Sequence, residues 1–309
     1  MITILMTTYN GEQYIAKQIE SLLAQTEQDF TLRIHDDGST DQTLFILSEY
    51  AARYPDRIIV QQNEKNSGGA KWNYLGMLAA YQDDFVMLCD QDDLWLPNKI
   101  EITLRAMKEA QTVYGVDTPI LVHTDLVVVD EKLQTLHASF RKMSNLDYRR
   151  VELKDQLVQN TMTGCTVMLN RQLQRYLRNI PDHCIMHDWW LMLIASAFGK
   201  IIPLENEQTI LYRQHAGNVV GAKDADSVSY LYERIAHSEN TRNIVNQTYR
   251  QAESFYKLFS DRLSEEQRML VLRFIDIPKH KKLRRVYDLF ALQTWKHGIV
   301  RVLGQLFYI

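Results

Sequence analysis

The chain has 309 residues, of which 46% are hydrophobic and 24% are charged, a composition typical of a soluble globular protein large enough for two domains. The net charge is −3 and the sequence pI is about 6.3, so no overall positive field recruits nucleic acid, and a nucleotide partner should be small. The three cysteines, Cys89, Cys165 and Cys184, are odd in number and lack zinc-ligand spacing, which indicates small core residues in a reducing compartment.

Apolar strand-like segments alternate with segments of helical period along most of the chain. Strands are predicted at 2–6, 30–35, 57–62, 85–89, 120–129, 163–169 and 200–213, and helices at 12–25, 41–54, 70–81 and 98–114, with another beginning near Asp188. This order favours an α/β protein with a mostly parallel sheet and helices on both faces. Beyond about Ser227 only helical periodicity remains, which predicts a helical C-terminal appendage.

The N-terminus begins directly with a predicted strand and carries neither a basic segment nor a long apolar one. Apolar runs elsewhere are too short to span a membrane. These features predict a cytoplasmic protein.

Three carboxylates follow the buried strand at 85–89, in the sequence Asp90-Gln91-Asp92-Asp93. Ligands of open α/β sheets bind beyond the carboxyl ends of the strands. Closely spaced aspartates supply the oxygen ligands that Mg²⁺ and Mn²⁺ accept, and a divalent ion there would neutralise a diphosphate. The alternative is that the aspartates only cap the helix announced by Pro97.

Three more strand ends carry polar loops. The loop at 7–11 offers backbone donors, hydroxyls and an aromatic ring that can stack on a base. The loop at 36–41 has carboxylates that can accept the imide N–H of uracil or thymine, although Ser39 or Thr40 would also serve as a helix cap. The loop at 66–69 places glycines before a helix N-terminus, where backbone N–H groups favour anions and a lysine at 71 can reach phosphate.

Seven motifs together resemble one enzyme family. They read TTYN at 7–10, DDGSTD at 36–41, NSGGAKWN at 66–73, DQDDLWLP at 90–97, TGCTVMLN at 163–170, HDWW at 187–190 and YRQHAGNVVG at 212–221. Their order and spacing are similar to those of inverting family 2 glycosyltransferases, which implies a GT-A (Rossmann-like) fold. The later motifs are similar to those of bacterial rhamnosyltransferases, most of all the streptococcal enzymes that build the rhamnose backbone of cell-wall polysaccharides.

The resemblance implies which residues bind the nucleotide. Tyr9 and Asp37 would hold the base, with Thr7 and Asp36 close by. The phosphate contact of Lys71 is predicted from its place at the helix N-terminus and not from the resemblance.

The same resemblance implies a site for Mn²⁺ or Mg²⁺. Asp92 would be a direct ligand, and Asp90 would act through the ribose or a water. His215 falls where similar enzymes place another metal or diphosphate contact, a role that suits a neutral imidazole. The alternative for His215 is an ordinary histidine of a surface loop.

Asp188 corresponds to the carboxylate base of the family. Displacement at an anomeric carbon needs a base for the acceptor hydroxyl and positive charge on the departing diphosphate. Many relatives have Glu-Asp here, whereas this chain has His187-Asp188, so the neighbouring charge is missing or replaced by a titratable ring. The alternative is that Asp188 caps the helix, with Trp189 and Trp190 either in the core or stacked on a sugar.

The C-terminal segment combines basic and apolar residues. The basic residues are Lys279, Lys281, Lys282, Arg284 and Arg285, and the apolar ones that follow are Val286, Leu289, Phe290, Leu292, Trp295, Ile299, Val302, Leu303, Leu306 and Phe307. Such a helix suits a membrane surface. A helix docked on the catalytic domain or on a partner subunit of a homodimer would show the same pattern.

The resemblance therefore implies a metal-dependent inverting glycosyltransferase that moves L-rhamnose from dTDP-β-L-rhamnose to a lipid-linked glycan, at the inner face of the plasma membrane. The expected catalytic domain covers 1–222, with 1–100 for the nucleotide sugar and 101–222 for the acceptor and the base. A helical region at 223–309 follows.

Three rival functions stay open at this point. Uridine presents the same imide edge as deoxythymidine, so a family 2 transferase that uses a UDP-hexose is one rival. A non-catalytic nucleotide-binding subunit of a polysaccharide assembly complex is another, although the intact aspartates at 90, 92 and 188 argue against it. A nucleotidyltransferase should carry a glycine-rich basic loop after its first strand, and TTYNGEQY is not such a loop.

Overall fold

The structure, a computed structural model, describes residues 1–215 and 238–309. These residues form two compact units. The first contains residues 1–140, 163–180 and 199–215, and the second contains residues 141–162, 181–198 and 238–309. The expected domain boundary between residues 222 and 223, and the last six residues of YRQHAGNVVG, lie outside the described residues.

The first unit is built on a mixed β-sheet. Its described strands are β1 (Ile2–Thr8), β2 (Phe30–Asp36), β3 (Ile58–Gln62), β4 (Phe85–Cys89), β5 (Leu94–Trp95), β6 (Ile120–Val129), β7 (Thr135–His137), β8 (Val167–Asn170) and β9 (Lys200–Arg213). They are ordered β3-β2-β1-β4-β8-β6-β9-β5, with β7 beside β6. The half formed by β1 to β4 is parallel throughout, as predicted, whereas β8 runs antiparallel to both β4 and β6.

Twelve α-helices lie in the described residues. They are α1 (Ile15–Leu23), α2 (Thr43–Arg53), α3 (Ala70–Ala80), α4 (Lys99–Tyr114), α5 (Phe140–Met143), α6 (Leu153–Gln156), α7 (Arg171–Gln174), α8 (His187–Phe198), α9 (Ser238–Phe259), α10 (Glu265–Asp276), α11 (Lys282–Leu292) and α12 (Ile299–Tyr308). Short 3₁₀ turns occur at Gly164–Thr166 and Ile277–Lys279.

The crossover connections position the loops that matter for function. β1-α1-β2 and β2-α2-β3 step across the sheet in one direction, and β3-α3-β4 returns to the other side of β1. Because such crossovers are right-handed, α1 and α2 cover one face of the sheet and α3 covers the other. The direction of winding reverses between β1 and β4, and a reversal of this kind opens a ligand crevice at the carboxyl ends of the strands.

Several features of the first unit differ from expectation, among them the antiparallel course of β8 and the unpredicted strand β7. The strand predicted at 163–169 begins only at Val167, because the N–H and the hydroxyl of Thr166 both donate to the carbonyl of Thr163, at 3.0 and 2.6 Å, and close a turn. The two-residue strand β5 was not predicted, since it exists only through its pairing with β9. The three cysteines are buried thiols, as expected.

The second unit is helical among its described residues, which confirms the predicted C-terminal helices. Its core is aromatic: Trp190 of α8 packs against Phe255 and Phe259 of α9, with ring centroids 5.9 and 6.2 Å apart. In the described part of the chain, helices that combine the length and the apolar character needed to cross a membrane are absent.

Candidate active site

One side chain joins the loop after β1 to the loop after β4. Gln91 Oε1 accepts the N–H of Tyr9 at 2.9 Å, and Gln91 Nε2 donates to the Tyr9 carbonyl at 3.0 Å. A Cβ atom on Gly11 would lie 2.4 Å from Gln91 Oε1, so glycine leaves the room that Gln91 occupies. The Tyr9 ring is 52% exposed, as stacking on a base requires.

Asp36 shapes the loop after β2. Its carboxylate is fully buried and accepts hydrogen bonds from the Thr8 hydroxyl at 2.9 Å, the Ser39 hydroxyl at 2.6 Å and the N–H groups of Gly38 and Ser39 at 3.1 and 2.8 Å. Four donors from the protein saturate the carboxylate. Its predicted place near the base, like that of the buried Thr7, stays a prediction.

Asp37 ties the loop after β3 to the loop after β2. Its Oδ1 accepts the Asn63 amide at 3.0 Å and the Ser67 N–H at 2.7 Å, and its Oδ2 accepts the Ser67 hydroxyl at 2.8 Å. Since a carboxylate oxygen can accept two hydrogen bonds, a base imide would meet the second lone pair of Oδ2 or displace the Ser67 hydroxyl. The role of Asp37 in base recognition stays a prediction.

The start of α3 has the backbone geometry that the glycines predicted. Gly68 and Gly69 have φ values of +92° and +115°, in the region that favours glycine, and the Gly69 carbonyl accepts the N–H of Trp72 at 3.0 Å. Lys71 follows in the first turn, with Nζ 4.6 Å from the centroid of the Trp72 ring. The phosphate contact of Lys71 stays a prediction.

Asp90 and Asp92 point to different partners. The Tyr74 hydroxyl shares its proton between the Cys89 carbonyl at 2.6 Å and Asp90 Oδ1 at 3.0 Å, and burial raises the pKa of Tyr74 well above its usual range, so the hydroxyl keeps that proton. Asp92 Oδ2 lies 2.8 Å from Nε2 of His215, and both side chains are largely buried. The structure therefore places two of the three predicted metal ligands in direct contact, although they are 123 residues apart in sequence.

A third aspartate completes the cluster. Asp93 is fully buried, and ligand atoms of Asp90, Asp93 and Cys165 lie within 4.8 Å of one another. Burial, and then the nearby charges of Asp92 and Asp90, raise the pKa of Asp93 well above its usual range. Asp93 Oδ2 has no hydrogen-bond partner among the described residues.

The predicted base lies in the second unit, in the first turn of α8. Asp188 is 9% exposed, and its Oδ1 accepts the N–H of Trp189 at 2.7 Å. The helix begins at His187, so Asp188 is not the capping residue itself, yet it satisfies one of the N–H groups that a first turn leaves without a helical partner. Its catalytic role stays a prediction.

The residues next to Asp188 in sequence carry no charge near pH 7. Burial lowers the pKa of His187 to about 3, so the ring is neutral near pH 7 and supplies no charge to its neighbour. Trp189 is 7% exposed and donates its indole N–H to the Gln156 carbonyl at 2.6 Å, and Trp190 is fully buried. Both tryptophans therefore belong to the core of the second unit.

Comparison with known proteins gives the family. The model of glycosyl transferase family 2 matches residues 3–177, more than half of the chain. The chain belongs to glycosyl transferase family 2. It is 27% identical to the dTDP-rhamnosyl transferase RfbG of Shigella flexneri over 236 residues, which cover 73% of this chain and 76% of that protein.

Two solved structures resemble this family 2 glycosyltransferase over nearly its whole length. S. aureus TarS 1-349 in complex with UDP-GlcNAc matches with a TM-score of 0.57 and 18% identity, over 99% of this chain and 90% of that chain. GalNAc-T7 with UDP, GalNAc and Mn²⁺ matches with a TM-score of 0.56 and 13% identity, over 91% of this chain and 57% of that chain. These matches confirm the predicted GT-A-like fold.

The acidic cluster of the family 2 glycosyltransferase has donors that suit a hard divalent cation. The carboxylates of Asp90, Asp92 and Asp93 and the imidazole of His215 are ligands of the kind that Mg²⁺ or Mn²⁺ accepts. Burial raises the pKa of the Cys165 thiol well above its usual range, so it stays protonated and is a poor ligand. A cation would offset the burial and the repulsion from Asp92 and Asp90 that together raise the pKa of Asp93, and in this sense the residues fit the ion.

Sequence reasoning missed several residues of this site. Asp93 is part of the DQDD motif, but the sequence analysis predicted no specific role for it. Gln91 was also part of the motif, but its two hydrogen bonds to the Tyr9 backbone could not be predicted from it. The Arg213 guanidinium donates from Nε to the Asp92 carbonyl at 2.9 Å, and its backbone N–H donates to Asp93 Oδ1 at 3.2 Å. Cys165 and Arg213 lie far along the chain from the acidic motif, so the sequence does not predict their contacts with Asp92 and Asp93.

Proposed function

We propose that this glycosyltransferase moves L-rhamnose from dTDP-β-L-rhamnose, with inversion, to a lipid-linked glycan acceptor in the synthesis of a cell-wall or surface polysaccharide. The observation that carries the proposal is the set of polar loops at the carboxyl ends of β1, β2, β3 and β4, bonded to one another around an acidic cluster. The dTDP-rhamnosyl transferase RfbG supports the choice of donor.

In this proposal the donor binds along the loops of the first unit. The exposed Tyr9 ring stacks on the pyrimidine, and Asp37 accepts its imide N–H. Thr7 and Asp36 hold the floor of the loop beneath them. Lys71 and the N-terminus of α3 face the diphosphate, where a positive end of a helix dipole favours an anion.

Asp90, Asp92 and His215, with Asp93 beside them, would hold Mn²⁺ or Mg²⁺. When bound, the ion supplies positive charge to the departing diphosphate. The Tyr74 hydroxyl orients Asp90, and Arg213 holds the backbone of Asp92, so the ligand carboxylates are kept in place by neutral and cationic donors.

Asp188 acts as the general base in this proposal. Its carboxylate takes the proton of the acceptor hydroxyl while that oxygen forms a bond to the anomeric carbon, and the bond from that carbon to the diphosphate oxygen breaks. Attack opposite the leaving group inverts the β-linked donor and gives an α-L-rhamnosyl product. Because His187 is neutral, its ring places no positive charge beside Asp188, whose Oδ1 accepts the Trp189 N–H.

The proposed place of work is the inner face of the plasma membrane, where a lipid-linked acceptor is anchored. In this proposal residues 1–100 bind the nucleotide sugar, residues 101–222 supply the acceptor side and the base, and a helical region at 223–309 follows. All the residues with proposed roles belong to one chain, so the proposal is the same for a monomer and for a homodimer.

A panel of donors tests the proposal. The full chain is incubated with dTDP-L-rhamnose, UDP-glucose and UDP-GlcNAc, with and without Mn²⁺ or Mg²⁺, and released nucleoside diphosphate is measured with and without a rhamnosylated lipid acceptor. We expect metal-dependent release of dTDP that the acceptor accelerates. A clear preference for a UDP-sugar would show that the donor is not dTDP-L-rhamnose. If no nucleoside diphosphate is released from any donor, the result would favour a non-catalytic nucleotide-binding subunit.

A further inference from the structure

Helices α11 and α12 of the second unit each present an apolar stripe to solvent. The exposed fractions are 89%, 59% and 62% for Leu283, Tyr287 and Phe290 of α11, and 80%, 61% and 70% for Ile299, Leu303 and Phe307 of α12. A spacing of three to four residues places the members of each set on one side of their helix. We call these six residues the outer apolar face.

The outer apolar face is not the face that packs in the core. On α11 the buried residues are Asp288, Leu289 and Leu292, which lie on the opposite side of the helix. On α12 the buried residue is Gln305, whose amide donates to the Thr294 carbonyl at 3.0 Å. Each helix therefore packs against the rest of the second unit through one side, while its other side is apolar and exposed.

The two stripes adjoin. Lys282 Nζ of α11 donates to the Phe307 carbonyl of α12 at 3.1 Å and lies 5.6 Å from the centroid of the Phe307 ring. The start of α11 is therefore in contact with the end of α12, and each of the two helices carries half of the outer apolar face. An exposed apolar surface of this kind marks an interaction site rather than an isolated surface residue.

The segment that carries the outer apolar face is strongly basic. Residues 277–309 contain seven lysines and arginines and a single acidic residue, Asp288. Asp288 is 4% exposed, and its carboxylate receives His280 Nδ1 at 2.8 Å and Arg284 Nε at 3.0 Å. On the helical wheel Lys282 and Arg284 fall on the two sides of the α11 stripe, where long side chains can reach past apolar groups to a charged layer.

We propose that the outer apolar face binds the surface of an anionic lipid bilayer. The apolar side chains would enter the boundary between headgroups and acyl chains, and the flanking cations would meet the lipid phosphates. Tyrosines such as Tyr287 are enriched at this depth, and phenylalanines such as Phe307 are common on the apolar face of helices that lie in the interface. Symmetric pairing of two copies through the same face would bring like charges together, which disfavours a dimer as the occupant.

Vesicle flotation of the full chain tests this proposal. Neutral phosphatidylcholine vesicles are compared with vesicles that also contain phosphatidylglycerol, at low and at high salt. We expect binding to the anionic vesicles that weakens as salt rises. Equal binding to both kinds of vesicle, or binding to neither, would overturn the proposal.

Matched variants locate the surface. Phe290→Glu combined with Phe307→Glu should reduce the bound fraction at least tenfold, since each places a carboxylate in the boundary layer. Phe45→Glu is the control, because Phe45 of α2 is 59% exposed but lies outside the outer apolar face. Lys281→Gln combined with Lys282→Gln should weaken binding to anionic vesicles and flatten its salt dependence. Equal losses in the control and the Phe290/Phe307 variant would also overturn the proposal.

Two further measurements separate this proposal from its rivals. If ultracentrifugation shows a wild-type dimer that the Phe290/Phe307 variant converts to monomer while vesicle binding is unchanged, the face is a subunit interface and the proposal is wrong. Nucleotide binding in solution, measured by calorimetry on the same variants, should be unchanged. Failure of the donor proposal would leave the vesicle result untouched, so the two proposals can fail separately.

Discussion

The loops of the donor side and the start of α8 hold their carboxylates in different ways. In the first unit, Asp36 and Asp37 are fixed by hydrogen bonds from hydroxyl, amide and backbone groups of adjacent loops. In the second unit, Asp188 lies beside a neutral histidine and buried tryptophans, and aromatic packing from α9 supports its helix. The first arrangement shapes a polar pocket, whereas the second places one buried carboxylate in the first turn of a helix that packs in an aromatic core. We infer that binding and proton transfer can be disrupted independently.

Asp92→Asn should have the largest effect, because it removes one ligand charge while keeping the side-chain shape. We expect loss of turnover and of the enhancement that Mn²⁺ gives to dTDP binding. Calorimetry with dTDP, with and without Mn²⁺, measures the second effect directly. If Mn²⁺ increases the dTDP affinity of the variant as much as that of wild type, Asp92 does not bind the ion, and the proposed metal site between the donor loops is wrong.

Asp188→Asn should separate the two regions most clearly. If Asp188 only deprotonates the acceptor hydroxyl, transfer should fall by about 10²–10⁴-fold while dTDP affinity stays nearly constant. Asparagine can still accept the Trp189 N–H, so the melting temperature should change little. Transfer to a lipid acceptor, dTDP affinity and melting temperature are measured on one preparation, and retained transfer would eliminate Asp188 as the base.

Gly11→Ala tests whether the polar pocket depends on the link between its loops. The new methyl group would displace the Gln91 side chain and break its two bonds to Tyr9, and we expect dTDP to bind about tenfold more weakly, equivalent to about 1.4 kcal/mol. Gly76→Ala is the matched control, because a methyl group added at this position of α3 would have no atom within 4 Å and alanine favours a helix. Equal affinity in both variants would show that the link does not support the pocket.

His187 gives the smallest effect, on stability rather than activity. Its pKa is about 3 in the folded protein and about 6.5 when unfolded, so between these values the unfolded chain binds the extra proton and stability falls as pH falls. From pH 7 to pH 5 this amounts to about 2 kcal/mol. Denaturant unfolding of wild type and His187→Gln at both pH values should show a smaller loss in the variant. Equal losses would mean that His187 is not buried as a neutral ring.

The sequence predicted the parallel half of the sheet well, because each strand and helix there carries its own local period. It could not predict the antiparallel course of β8 or the two-residue strand β5, since both depend on partners distant in sequence. The same limit applies to the site. The family resemblance identified Asp92 and His215, which the structure places in contact, but the cluster of Asp93 with Cys165 and the hydrogen bonds from Ser67 to Asp37 arise only from tertiary packing.

Because Asp36 receives four donors from the protein itself, the backbone of its loop is ordered before a nucleotide arrives. Fixing the backbone of one residue costs about 1–2 kcal/mol of conformational entropy, and this entropy is lost when the protein folds and not when the nucleotide binds. Nucleotide association should therefore proceed in a single kinetic phase whose rate rises linearly with concentration. Ser39→Ala, which loosens the loop without touching the proposed base contacts, should introduce a slower ordering step.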